Sequence, residues 1–217
     1  MNIIWHGQSC FEIIATPAKN SQIKIIIDPF SEELGLKVPK LEGDIVLLSH
    51  SNYGPNRGKT LSGSPFLISG PGEYEVKNVF IQGTPSFAGS KKEKERSENT
   101  IYTIETEDLK LCHMGDLNQK ELNEEQLEEI GDIDILMVPI GGADTVSAKE
   151  ALRIMAQIEP KITIPMYYAL PKLKVKLDGL DKFLKPLGIK SVTPEPKLTI
   201  KQKDLSAEEA KIVVLKP

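Results

Sequence analysis

The segment Asp44 to Gly58, reading DIVLLSHSNYGPNRG, decides how this chain is read. Ile45, Val46, Leu47 and Leu48 form an apolar run that predicts a buried strand. That strand delivers Ser49, His50, Ser51 and Asn52 at its carboxyl end, where catalytic loops of layered α/β proteins sit. A loop reading His-x-His-x-Asp-His here would grip one zinc with alternate imidazoles and a second with the adjacent Asp and His, bringing bound water to a pKa of about 7. This loop supplies one imidazole, His50.

Working outward, further landmarks follow in order. IIWHGQSCFEI (3–13) reads as an opening hairpin, IKIIIDPF (23–30) as a buried strand ending in Asp-Pro, and GPGEYEV (70–76) as the strand after the loop. LKLCHMGDL (109–117) carries a Gly-Asp turn, and DIDILMVPIGG (132–142) and ITIPMYY (162–168) are two more buried strands. In this order they resemble the metallo-β-lactamase superfamily, in particular its small single-domain branch of Zn-dependent hydrolases, across nearly the whole chain. The resemblance implies an α/β (α+β) fold, a four-layer αββα sandwich, as one domain spanning 1–217.

It also implies where metal ligands belong. The first metal's positions fall on His50, Asn52 and Ala88, and the second's on Gly54, Pro55 and Tyr167. The bridging carboxylate falls on Asp116. Only His50 and Asp116 keep a ligand side chain. Stable zinc sites use three or more protein ligands from His, Cys, Asp or Glu, and Pro55 fixes φ and lacks an N–H, so it redirects the loop. The expectation from this count is that no metal ligand set remains, that zinc, present in relatives, is lost as a cofactor, and that the protein is a non-catalytic or divergent member. The alternative is a metal-dependent hydrolase of a phosphodiester, lactone or similar ester with a rearranged ligand set drawing on His113, Glu73 or another carboxylate. A metal-free enzyme is the third reading.

His50 and Asp116 are the candidate catalytic pair, as acid and base in the mouth where relatives hold metal. Asn52, Tyr53, His113 and Tyr167 are the candidate binding residues around a small polar ligand. The plainer alternative is that His50 and Asp116 simply bond each other and the loop backbone. His50 is expected to bury little, Tyr167 to fill the void of the second metal, and His113 and His6 to be structural. The GPGE turn (70–73) and the Ile140–Ala143 turn lack P-loop or dinucleotide spacing, so their glycines are assigned to backbone geometry and no ligand.

Composition bounds the rest. A chain of 217 residues with 40% hydrophobic content can bury one substantial core. No apolar run approaches the roughly 20 residues that span a bilayer, and the start lacks a signal pattern, so a soluble, cytoplasmic protein without a membrane partner is expected. The net charge of −4 argues against a large nucleic-acid footprint, and the oligomeric state stays open. Cys10 and Cys112 lie in apolar segments without CxxC spacing and read as buried free thiols. Lys91 to Arg96, a run of alternating charge, reads as a solvated loop.

Strand patterns cover Asn2–His6, Phe11–Ala15, Lys24–Asp28, Ile45–Ser49, Phe66–Ser69, Glu73–Val76, Val79–Gly83 and Ile101–Glu105. Further on, a helix is expected over Asn118–Ile130, capped by Asn118, with another over Ser147–Ile158 and a third near Leu177–Leu187. Strands are expected at Asp134–Val138, Lys161–Pro165 and Lys211–Leu215.

Overall fold

The computed structural model describes residues 1–19, 21–50, 61–89, 96–205 and 210–217. The apolar runs become two sheets. The first runs, in spatial order, β14 (Leu198–Thr199), β1 (Asn2–Gly7), β2 (Cys10–Ala18), β3 (Ser21–Ile27), β5 (Ile45–Leu47) and β7 (Phe66–Ile68). The second runs β15 (Lys211–Ile212), β13 (Ile162–Met166), β12 (Ile135–Pro139), β11 (Leu109–His113), β10 (Arg96–Thr106), β9 (Val79–Gly89) and β8 (Gly72–Val76). A small pair, β4 (Leu41–Glu42) and β6 (Leu61–Ser62), lies apart.

Residue type explains which strands are hairpins. β1 alternates half-buried and buried positions and pairs antiparallel with β2, as a one-faced strand does. β5, β12 and β13 are buried at every position and pair in parallel, as strands covered on both faces do. One contiguous core joins them, with Ile13, Ile25 and Ile45 in the same cluster as Ile104, Leu111 and Leu136. This two-sheet α/β architecture agrees with the fold that the resemblance implies.

Helices α1 (Glu124–Ile130) and α2 (Ala148–Ile158) pack on β9 and β12, and α3 (Asp181–Leu184) packs on α2. Both longer helices begin with reciprocal caps. In α1 the Asn123 side chain accepts from the Gln126 N–H at 2.8 Å and the Gln126 side chain accepts from the Asn123 N–H at 3.2 Å. In α2 Ser147 and Glu150 do the same. The expected cap at Asn118 is therefore corrected. Gln157 holds Leu122 out of the helix, its amide bonding the Leu122 N–H and C=O at 2.9 Å each. The third expected helix is shorter than its pattern, because the Asp178 N–H donates to Gly141 O at 2.8 Å and its carbonyl accepts from Ala169.

One edge of the sandwich is stitched shut, and this positions the site. The Thr100 N–H donates to Ser49 O at 2.7 Å, and His50 bridges to Asn99 of β10. The Tyr102 hydroxyl donates to Leu48 O and accepts the Gly70 N–H, both at 3.0 Å, tying the end of β5 to the GPGE turn. At the other turn a Cβ on Gly141 would strike the Tyr167 carbonyl, so glycine there serves close packing, as expected. Cys10 and Cys112 are buried free thiols, pushed up from the ordinary thiol range by burial, Cys112 to about 12. No described helix is long and apolar enough to cross a membrane. The charged run's residues 91–95 lie outside the described residues.

Candidate active site

Parallel pairing sets the first half of the site. Ile27 pairs with Leu47, so the residue after each strand meets its neighbour's end: the Asp28 N–H donates to Leu47 O at 3.0 Å. The Asp28 carboxylate, 1% exposed, then accepts the Ser49 N–H at 2.7 Å and the Ser49 hydroxyl at 2.5 Å. Ser49 Oγ lies 2.7 Å from His50 Nδ1. A hydroxyl has one hydrogen, and Asp28 takes it; His50 Nδ1 therefore carries a proton and donates to Ser49 Oγ. That leaves the Nε2 lone pair pointing onward, 3.3 Å from Asp116 Oδ2. Across that gap the ring nitrogen faces a carboxylate oxygen, a contact that becomes an ion pair when the imidazole is protonated.

Asp116 stands on the turn after β11, and three elements fix it. Asn99 accepts the Asp116 N–H at 2.9 Å while its amide donates to Ser86 Oγ at 2.7 Å and Met114 O at 3.0 Å. Ser9 Oγ donates to Asp116 Oδ1 at 3.4 Å, and the Tyr167 hydroxyl bonds the same carboxyl. Burial raises the Asp116 carboxyl to about 6, against the pull of His50 downward, with Asp28 adding to the rise. A carboxyl there exchanges protons near neutral pH.

The candidate residues sort clearly. His50, Asp116 and Tyr167 come together, whereas Asn52 and Tyr53 lie outside the described residues. His113 does not line the mouth. It is fully buried, its Nε2 donates to Ser9 O at 2.9 Å, its Nδ1 accepts the Gly115 N–H at 3.1 Å, and its ring stands edge-on to Phe11. Burial holds its pKa below the usual imidazole value. His50 is no lightly buried loop residue either: its side chain is 0% exposed between two carboxylates, because Asn99 draws the end of β5 into the sheet. Tyr167 is 8% exposed, in a left-handed backbone conformation with its N–H on Gln8 O.

Sequence reading missed four members, Asp28, Gln8, Ser9 and Asn99. For Asp28 the signal was a carboxylate closing an Ile-rich strand; Gln8 and Ser9 depend on contacts more than a hundred residues apart, and Asn99 on hairpin geometry.

Residues 2–167 match the family model for the β-lactamase superfamily domain. The chain belongs to the β-lactamase superfamily. A UPF0173 protein of Pyrococcus abyssi is 29% identical over 195 residues, covering 77% of this chain and 83% of that protein. A UPF0173 metal-dependent hydrolase of Thermococcus onnurineus is 27% identical over 190 residues, 75% of this chain and 82% of the relative. Among solved structures, a protein of Thermotoga maritima proposed as a Zn-dependent hydrolase of the metallo-β-lactamase superfamily superposes with a TM-score of 0.77 at 32% identity, covering 99% of this chain and 97% of that one.

These relatives overturn the expected loss of the cofactor: superfamily proteins aligned over three quarters of this chain are named metal-dependent. Counting ligands position by position tracks where relatives place donors, and it takes no account of donors from elsewhere. The site itself gives a mixed fit. The Asp28–Ser49 relay fixes the tautomer that presents His50 Nε2, as the outer partners of a metal-bound histidine do. With Asp116 that makes two donors, and among the described residues no group of three His, Cys, Asp or Glu converges, so the described residues do not complete a metal centre.

Proposed function

We propose that the chain is a metal-dependent hydrolase of an ester-type bond, a phosphodiester, lactone or similar ester, acting in the mouth between His50 and Asp116. The observation that carries this is the aligned chain Asp28, Ser49, His50, Asp116, with contacts of 2.5, 2.7 and 3.3 Å. An imidazole with Nδ1 protonated and Nε2 poised can take a proton from an attacking water, and Asp28 offsets the positive charge this creates. Asp116 relays the proton toward the leaving oxygen, and the Tyr167 hydroxyl and Ser9 keep its carboxyl in line. The relatives' names support a bound metal.

The test is hydrolysis of 4-nitrophenyl esters, lactones and bis(4-nitrophenyl) phosphate by protein loaded with zinc, manganese or iron, beside chelated protein and His50→Ala. Turnover that needs metal and falls at least about 100-fold in His50→Ala supports the reading. Turnover indifferent to metal, or retained in the variant, refutes it.

A further inference from the structure

The segment that carries His50 leaves its own sheet before it reaches the site. β5 ends at Leu47, and the Leu48 N–H still donates to Ile68 O at 2.9 Å. The remaining holds come from β10 of the other sheet. The Thr100 N–H donates to Ser49 O at 2.7 Å, His50 bridges to Asn99, and the Tyr102 hydroxyl donates to Leu48 O at 3.0 Å. The first two join backbone to backbone. The third comes from a side chain, and that side chain has a second bond.

Tyr102 is 0% exposed, with its ring in the shared core. Its hydroxyl has one hydrogen, and Leu48 O at 3.0 Å is nearer than Ile68 O or Gly70 O, each at 3.5 Å. The same oxygen accepts the Gly70 N–H at 3.0 Å. Burial pushes the phenol above its ordinary pKa, so it stays protonated and neutral. One oxygen thus joins Leu48, two residues before His50, to the first residue of the GPGE turn. That turn is seated on the second sheet. A Cβ on Gly83, the cross-strand partner of Tyr102, would come within 2.8 Å of Gly70 O and 2.9 Å of Thr100 Cγ2. The Tyr74 hydroxyl donates to Pro71 O at 3.2 Å. Gly70 and Pro71 line the same cleft as Ser49 and His50, so the turn is one wall of that cleft.

We propose that Tyr102 is a positioning residue for the site, its hydroxyl setting Leu48, and through it His50, against the Gly70–Pro71 wall of the cleft. Its role in turnover rests on the hydrolase reading, whereas its hold on His50 does not. Without the hydroxyl, Ser49 shifts relative to Asp28 and the imidazole loses the alignment that faces Asp116. A misplacement of about 1 Å at a reacting group costs up to about 100-fold in rate.

Tyr102→Phe keeps the ring and removes both bonds. On a 4-nitrophenyl ester that the wild type hydrolyses, kcat is expected to fall about tenfold or more while KM changes by less than about threefold. In NMR spectra the His50 ring signals, identified by their loss in His50→Ala, move or broaden, while those of His6 on β1 stay. Asp134→Ala is the control. It removes the acceptor of the Lys110 N–H at the start of β11, the end away from Asp116, and lowers stability without moving kcat or the His50 signals. Tyr102→4-aminophenylalanine, which keeps a donor for Leu48 O, matches the wild type in both. Unchanged kcat, a loss confined to KM, unmoved His50 signals, or equal changes in Asp134→Ala each overturn the proposal. If Tyr102→Phe does not fold, the aminophenylalanine variant decides: wild-type kcat and His50 signals sustain the proposal, and displaced signals overturn it. If the wild type turns over no ester, the hydrolase reading fails separately and the His50 signals alone decide the positioning role.

Discussion

Replacing Gln8 with Met should make the protein more stable. Gln8 sits at the tip of the β1–β2 hairpin with φ of +50°, and its backbone is well used: its carbonyl accepts from Trp5 Nε1 at 2.8 Å and from the Tyr167 N–H at 3.2 Å. Its side chain is another matter. The residue is 0% exposed, and both Oε1 and Nε2 lack a partner among the described residues. An unsatisfied buried group costs about 1 to 3 kcal/mol, and Met has nearly the same length and volume without either group. Both residues bear the same left-handed backbone penalty, so that term cancels. Taking the low end for each atom gives about 2 kcal/mol of stabilisation. For a chain of this length that is a rise of about 4 to 8 °C in melting temperature.

Thermal melts and urea titrations at pH 7 read the effect, with an unchanged m value confirming that the native state has moved and the denatured state has not. Gln8→Glu is the companion variant. It places an unpaired carboxylate in a fully buried position and should lose stability. If Gln8→Met is neutral or less stable, the amide is satisfied in solution and the reasoning fails. Should the variant gain stability yet lose turnover, the amide is strain kept for function.

Three further predictions concern the frame of the site. Gly115→Ala should cost more than about 3 kcal/mol and abolish turnover, because φ is +60° and a Cβ would meet Asn99 Oδ1 and lie 2.6 Å from Ser49 Oγ; a stable, active variant by melt and assay contradicts this. Asn99→Ala strips the Asp116 N–H and Met114 O of their partners and should cost about 3 kcal/mol in urea titration, whereas a loss below about 1 would mean that water replaces the amide. His113 concerns pH. Its folded pKa is depressed by burial while the unfolded chain takes up a proton near 6.5, so the unfolded state binds more protons and stability falls as pH drops below 6.5. His113→Gln should flatten that slope by up to about 1.4 kcal/mol per pH unit, and an unchanged slope in pH-dependent urea titrations rejects it.

The strands were legible because burial writes its period into the sequence. β5, β12 and β13 are unbroken apolar runs, and β1 alternates. The start of α1 was not. Asn118 and Asn123 are each followed three residues later by Glu or Gln, so both satisfy the cap pattern. Gln157, on another helix, chooses between them by occupying the backbone of Leu122. Local sequence carries no trace of that bond. Metal was misjudged for a related reason. The donor tally at His50, Asn52, Ala88, Gly54, Pro55, Asp116 and Tyr167 compared positions with positions, and relatives named as metal-dependent align over three quarters of the chain.

His50 and Asp116 were visible in the sequence as two residues, and their coupling depends on the sheet. Asp28 reaches Ser49 only because Ile27 pairs with Leu47 in a parallel ladder. Ile25, Ile26 and Ile27 are buried on both faces of β3, which seats the strand beside β5 in the core. Asp28 then claims the Ser49 hydrogen, the hydroxyl oxygen claims the His50 Nδ1 proton, and Nε2 is left facing Asp116. The tautomer on which the proposed chemistry depends is thus a consequence of the pairing of β5 with its neighbour β3. Asp28→Asn should retain the fold and the register yet release the tautomer, because an amide turned to present its N–H no longer takes the serine hydrogen. A stable variant with turnover reduced more than binding would place Asp28 as the positioning residue for His50, and full turnover in that variant would sever the relay from the function.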